Sequence, residues 1–184
     1  AELLREKILT IGENIKIRRF PRFDGVVATY IHAAGRIGVM VQFDADEAVA
    51  AKPEFEAFAK DICMQVAAAN PAYLCECKVP AEVVEHEKKI LMEQIANDPK
   101  TANKPAQVIE KMVTGRIAKY YKENCLVDQI YVKDPDLTVQ KYVDQTAKAL
   151  GGKIAIADFV RYEKGEGLEK RNDNFADEVA GMIK

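Results

Sequence analysis

Cysteine and histidine are the residues of this chain whose side chains could do covalent or metal chemistry, and their spacing argues against both. The cysteines are Cys63, Cys75, Cys77 and Cys125, and the two histidines, His32 and His86, lie far apart. Cys75-Glu76-Cys77 invites a metal, but structural zinc loops space their thiolates more widely and need two further ligands, so no metal is assigned. Without paired spacing, the four cysteines read as reduced cytosolic thiols. A Cys–His nucleophile pair would need Cys63, which falls on the apolar stripe of a helix, where cysteine packs rather than reacts. The chain contains no serine, which removes serine-nucleophile mechanisms. No glycine-rich loop leads into Lys-Ser/Thr, and no strand leads into a dinucleotide fingerprint. The expectation is a protein that is not an enzyme and has no catalytic residues, metal or cofactor.

Bulk properties narrow the remaining choices. The 184 residues carry 27 Lys and Arg against 29 Asp and Glu, a formal net charge of −2, whereas nucleic-acid surfaces show a basic excess. No apolar run reaches membrane-spanning length, and the start, Ala1-Glu2-Leu3-Leu4-Arg5-Glu6-Lys7, is charged and helical. Neither nucleic acid nor membrane is expected as a partner, and the expected location is cytoplasmic. Hydrophobic residues make up 48% of the chain, enough for one large or two small cores.

Function must then reside in surfaces, which the chain's elements have to present. Leu3, Leu4, Ile8 and Ile11 recur at helical spacing and Gly12 stands where a helix would stop. Ile15, Ile17 and Phe20 then fall near one face with Lys16 and Arg18 on the other, the pattern of a half-buried strand. Gly12-Glu13-Asn14 is thus a polar corner, which by itself need be no more than a connection. Val26 to Ala33 and Ile37 to Phe43 read as a β-hairpin around Ala34-Gly35-Arg36. Pro53 opens a helix whose stripe is Phe55, Phe58, Ala59, Ile62, Cys63, Val66 and Ala67, and Asn70-Pro71 ends it.

The middle of the chain reads as two charged helices, opened by Pro80 and Pro105, of about 17 residues or about 25 Å each. Val83, Val84, Ile90, Leu91 and Ile95 face Val108, Ile109, Met112, Val113, Ile117 and Tyr120 in an antiparallel hairpin, with Val83, Ile90, Val108, Met112 and Ile117 expected inward. Asp128 to Lys133 suits a strand, Leu137 to Leu150 a helix stopped by Gly151-Gly152, and Lys153 to Glu163 a long strand with Ile154, Ile156, Phe159 and Tyr162 toward the core. Phe175, Val179 and Met182 give a terminal helix one apolar edge. The fold class is α+β: a small antiparallel sheet packed with helices, plus a protruding antiparallel helical hairpin.

Several of these segments carry a wording as well as a pattern. Ile11-Gly12-Glu13-Asn14-Ile15-Lys16-Ile17-Arg18-Arg19, Tyr30-Ile31-His32 with Gly35-Arg36-Ile37-Gly38-Val39-Met40-Val41, and Asp61-Ile62-Cys63-Met64-Gln65-Val66-Ala67-Ala68-Ala69-Asn70-Pro71 follow one another. Phe159-Val160-Arg161-Tyr162-Glu163, Gly165-Glu166-Gly167-Leu168-Glu169-Lys170 and Asp173-Asn174-Phe175-Ala176-Asp177-Glu178-Val179 close the series. In this order they resemble bacterial translation elongation factor Ts nearly from end to end.

The resemblance implies a guanine nucleotide exchange factor for elongation factor Tu. It implies contacts by Ile11, Gly12 and Asn14 at the corner, by His32, Gly35 and Arg36 at the hairpin, and by Phe175 on the terminal helix. It also implies a division into 1–24, a remnant of a first core lobe; 25–72 with 124–164, a second lobe; 73–123, a helical-hairpin dimerisation arm; and 165–184, a C-terminal helical module. The family's N-terminal helical module and its Thr-Asp-Phe-Val-Ala region are not found. Ala157-Asp158-Phe159-Val160 is similar to the latter but runs into Arg161-Tyr162-Glu163, which match the family's final strand, so Phe159 is not assigned that role. The expectation is therefore a C-terminal fragment, weak in exchange. The alternative is a self-association module that binds no GTPase productively.

Overall fold

A computed structural model describes residues 2–99, 101 and 104–168. The elements are α1 (Glu2–Ile11), β1 (Val26–His32), β2 (Ile37–Ala45), α2 (Glu47–Ala50), α3 (Pro53–Ala69), α4 (Ala81–Asn97), α5 (Ala106–Asn124), β3 (Ile130–Tyr131), β4 (Asp134–Thr138), α6 (Val139–Leu150) and β5 (Ile154–Glu163). Short 3₁₀ turns lie at Glu76–Lys78 and Leu126–Asp128. The class is α+β, with six helices among the described residues against a small antiparallel sheet.

That sheet has the order β1-β2-β5, with both pairings antiparallel. Alternation along β2 turns Val39, Val41 and Phe43 to one face, where they meet Phe55, Phe58, Ala59, Ile62, Cys63 and Val66 of α3 and Val139 and Val143 of α6. Burying one such Phe or Ile side chain contributes about 1.5–3 kcal/mol. Phe43, Phe55 and Phe58 lie with ring centroids 5.5 to 5.9 Å apart.

Strand β5 corrects the expected core face. The register steps from Gln42↔Asp158 to Phe43↔Ile156, which leaves Ala157 unpaired in a bulge. A bulge shifts the side-chain phase by one residue. Ile154 and Ile156 point inward before it; after it the inward positions are Phe159 and Arg161, opposite Val41 and Val39. Tyr162, opposite Gly38, lies on the other face.

The helical hairpin keeps a core of its own: Ile95, Val113 and Ile117, flanked by Val84, Leu91, Ile109, Met112 and Tyr121. The inward stripe is one residue later than expected on α4 and at the start of α5, while Met112 and Ile117 face inward as expected. Val84, Leu91 and Ile109 replace Val83, Ile90 and Val108, and Val108 is exposed. Adjacent apolar pairs such as Val83-Val84 fit a 3.6-residue period equally well, and only the partner helix chooses between them.

Three further expectations change. No strand forms over Ile15–Phe20: the chain there is extended but has no neighbour in the sheet, and Ile17 and Phe20 are exposed. A strand needs a second ladder to satisfy its N–H and C=O groups, and alternation alone does not supply one. The expected strand from Asp128 shrinks to Ile130–Tyr131, paired with β4, because residues 126–128 coil into a 3₁₀ turn. The reduced-thiol expectation fails for Cys75 and Cys77, which are joined by a disulfide across Glu76. Cys63 and Cys125 are free and buried, and burial pushes the Cys63 thiol up to about 12 and that of Cys125 up to about 11. The terminal helix around Phe175 lies outside the described residues.

The end of α6 is packed too tightly for a side chain. Gly151 takes the left-handed cap at φ 71°, and a Cβ on Gly152 would overlap Cγ2 of the buried Val49 and stand 2.8 Å from Oδ2 of Asp46. That carboxylate already accepts the Lys153 N–H at 2.8 Å. Gly152→Ala should therefore cost about 1–3 kcal/mol, read as a lower urea midpoint with an unchanged slope.

Candidate partner-binding surface

The first candidate patch is the corner after α1. Gly12 has φ 78° and its N–H donates to Ile8 O at 2.8 Å, so it closes the helix in the left-handed conformation that glycine adopts without strain. Nothing lies within 4 Å of where its Cβ would be, which leaves room for another backbone. Ile11 is 56% exposed, Asn14 is exposed, and no residue of α1 is buried.

The second patch is the tip of the β1–β2 hairpin. His32 is the last residue of β1, pairs with Ile37, and is exposed. Its Nδ1 lies 3.1 Å from the Tyr30 hydroxyl. Ala33, Ala34 and Gly35 all have positive φ, of 50°, 52° and 89°, and the Arg36 N–H donates to Ala33 O at 3.1 Å. Positive φ at the two central residues matches the twist of the strands, but alanine bears about 1–2 kcal/mol in that region.

What holds the tip is a charge cluster. Arg36 Nε and Nη2 each reach Glu163 Oε1 at 3.1 Å, Arg161 Nη2 donates to Glu163 Oε2 at 3.0 Å, and the Lys164 N–H donates to Arg36 O at 2.8 Å. Hydrogen bonding from Arg161, and then from Arg36, holds the Glu163 carboxyl below the usual glutamate range.

The same turn reaches the stalk of the first patch. Arg19 pairs with Glu166 at 3.3 Å and lies over the Tyr162 ring at 4.2 Å, while Arg18 Nη2 donates to Glu166 O at 2.5 Å. Glu166 Oε2 also accepts the Glu163 N–H at 3.2 Å, and hydrogen bonding from Arg19 is the main cause of its lowered pKa. His32, Gly35 and Arg36 thus form one tip, tied through Glu163 and Glu166 to the chain that follows Gly12 and Asn14. Phe175 lies outside the described residues. Among the described residues no group of three or more His, Cys, Asp or Glu could hold a metal ion, and no helix is long and apolar enough to cross a membrane.

Residues 1–166 match the family model described as elongation factor TS. The chain belongs to the elongation factor Ts family. It is 48% identical to elongation factor Ts of Clostridium perfringens strain SM101, over 98% of this chain and 58% of that protein. Against elongation factor Ts of Clostridium acetobutylicum the identity is 48%, over 97% of this chain and 57% of the relative. Against that of Syntrophotalea carbinolica it is 46%, over 100% and 60%. The chain therefore spans a little over half the length of these relatives.

Within the elongation factor Ts motifs, the sequence reading passed over the residues that do the holding. Glu163, Glu166, Arg161, Arg19 and Tyr162 all sit in stretches quoted for their resemblance, but nothing in their spacing says that residues 19 and 166 meet. Their pairing carries a sign. Both glutamates are held below their ordinary 4.5, so the contacts are complete above that value and are lost as pH falls through the lowered pKa values. Glu166→Gln should release the Arg19 guanidinium at neutral pH while Arg18 keeps its bond to the carbonyl of residue 166, read as faster tryptic cleavage after Arg19. In the unchanged chain the Arg19 Nε–H resonance should move only in acid below the usual glutamate range.

Proposed function

We propose that this chain is part of a guanine nucleotide exchange factor that promotes GDP release from elongation factor Tu in the cytoplasm. Membership of the elongation factor Ts family carries this reading. The structure offers a surface suited to it: an exposed tip at His32, Gly35 and Arg36, held by two arginines on Glu163, and an open corner at Ile11, Gly12 and Asn14. Phe175 is a further proposed contact.

Exchange needs no covalent chemistry from the factor. Factor and nucleotide bind the GTPase with negative coupling, so whatever the factor does to weaken nucleotide, nucleotide does to weaken the factor. Only contacts stronger in the nucleotide-free state drive release. The sequence holds no assigned Thr-Asp-Phe-Val-Ala wedge, and Phe159, the nearest match, is partly buried against the core on β5. Residues 1–184 alone should therefore bind elongation factor Tu with little preference between its states and release nucleotide slowly. A second reading, pairing of two copies through the 73–123 arm, draws support from Met92 and Val108, which are exposed on α4 and α5 outside the seam.

His32→Ala should weaken binding to nucleotide-free elongation factor Tu by about 0.5–2 kcal/mol, as truncations at an interface rim typically do, with the fold intact. Titration calorimetry checks this, and unchanged binding removes His32 from the contact. Stopped-flow release of a fluorescent GDP analogue checks the exchange reading: full-rate release by this chain alone would mean that the wedge is dispensable or that Phe159 supplies it.

A further inference from the structure

The core hands over to the helical hairpin through residues 70–80, and the only disulfide among the described residues lies there. The first part of this connection is pinned. Ala72 and Tyr73 N–H groups donate to Asn124 O at 2.9 and 3.1 Å, while Leu126 N–H donates to Tyr73 O at 2.9 Å and Val127 N–H to Leu74 O at 3.1 Å. The last part is pinned as well, since Val83 and Val84 N–H groups donate to Pro80 O as α4 begins. Between them the chain makes one 3₁₀ turn, with Lys78 N–H on Cys75 O at 3.0 Å and Val79 N–H on Glu76 O at 3.1 Å. The Cys75–Cys77 bond spans that turn.

We propose that Cys75 and Cys77 form a reversible dithiol–disulfide site, exchanging with a dithiol reductant and reformed by a disulfide oxidant, that sets the stiffness of the joint between core and arm. A bond closing so short a loop removes little chain entropy from the unfolded state, so the fold does not depend on it. The half-buried Cys75 and exposed Cys77 leave it open to an incoming thiolate, whereas Cys63 and Cys125 are buried and held protonated. A disulfide that is accessible and not needed for folding is the kind that cycles.

The chemistry balances. A thiolate of the reductant attacks Cys77 Sγ, the S–S bond breaks, and Cys75 leaves as thiolate. The reductant's second thiol then attacks the mixed disulfide and releases Cys77. Two electrons pass to the cysteines, which take up the two protons the dithiol gives up, and the reductant leaves as its own disulfide. With the bond open, residues 75–79 keep the two 3₁₀ hydrogen bonds and the packing of the buried Val79, while the contacts of 72–74 and of α5 persist.

Native-state alkylation of the full chain followed by mass spectrometry tests the bond. Protein prepared without reductant should take up no label. After dithiothreitol it should take up two, at Cys75 and Cys77, with Cys63 and Cys125 labelled only on denaturation. Glutathione disulfide should restore the unlabelled state. Two labels before reduction that glutathione disulfide cannot prevent, or labelling of Cys63 and Cys125 as soon as the bond opens, would overturn the proposal. Hydrogen exchange tests the consequence. The amides of Lys78 and Val79 should exchange on the order of tenfold faster in the reduced chain, with α3 and β2 unchanged. The double variant Cys75→Ser, Cys77→Ser should match the reduced chain under either redox condition. Equal exchange in all three forms would mean that the bond controls nothing at the joint.

Discussion

The pairing of β2 with β5 is the constraint on which the rest of the structure depends. It joins Ile37–Ala45 to Ile154–Glu163, segments separated by most of the chain, and closure entropy for so long a loop grows only slowly with its length. Burial of Val39, Val41 and Phe43 with Ile154 and Ile156 over α3 offsets that entropy. Because the closure lies outside residues 70–125, the helical hairpin can leave and return without crossing the sheet. It departs after Asn70 and comes back at Cys125, where Tyr73 and Cys125 form a single parallel bridge. The hairpin tip depends on the same pairing. Arg36 meets Glu163 only because Ile37 lies opposite Glu163 in this register, and a slip of one residue would turn Phe159 and Arg161 out of the core face.

Polar groups fix how the second layer sits on that core. Gln65, fully buried on α3, donates to Ile130 O at 3.1 Å and accepts the Val132 N–H at 2.8 Å, so the short β3 is held by a side chain as much as by β4. One turn earlier on the helix, Asp61 accepts hydroxyls from Tyr131 at 2.9 Å and Tyr142 at 3.3 Å and pairs with Lys133 at 2.6 Å. The two tyrosine rings stack at 4.3 Å. Burial, and then bonding to Tyr142 and Asp61, raises the Tyr131 phenol far above its ordinary value, so it remains a donor throughout the range in which the protein folds. Buried networks of this kind, fully satisfied, favour one arrangement of the layers over its neighbours.

Local patterns were legible in the sequence where one element decides its own state. The α3 stripe, the stop at Asn70, the body of α6 to its stop at Gly151 and the two sheet hairpin strands all follow from periodicity and caps, although Leu137, expected to open α6, belongs to β4. What escaped depends on partners distant in sequence. The Ala157 bulge is visible only against β2, and it exchanges Tyr162 for Arg161 on the core face. The seam of the arm differs by one residue at Val84, Leu91 and Ile109, though not at Met112 and Ile117, because each helix offers adjacent apolar lines. Ile15 to Phe20 has a strand's alternation and no strand beside it. In the candidate surface the exposed His32 and Gly12 were readable from their positions at a turn and a helix end. The pairings of Arg36 with Glu163 and of Arg19 with Glu166 join residues more than a hundred positions apart, and no local pattern encodes such a meeting.

On the proposed reading, the location of strain and charge bears on how the hairpin tip meets its GTPase. An exchange factor gains nothing from contact that is equal in both states of its GTPase, so a useful tip must resist conforming to whichever state it meets. Ala33 and Ala34 keep positive φ at a fully exposed turn, which persists only if its surroundings over-determine it. The ladder from Val26 to His32 supplies part of that determination, and the Arg36–Glu163–Arg161 cluster supplies the rest from the far edge of the sheet. Arg161 extends the stiffness inward, since its side chain is only 12% exposed and opposite Val39 in the core register. A load on the tip is therefore carried through Glu163 into the β2–β5 pairing rather than absorbed by a flexible loop, and the same pairing that closes the fold also fixes the place of His32.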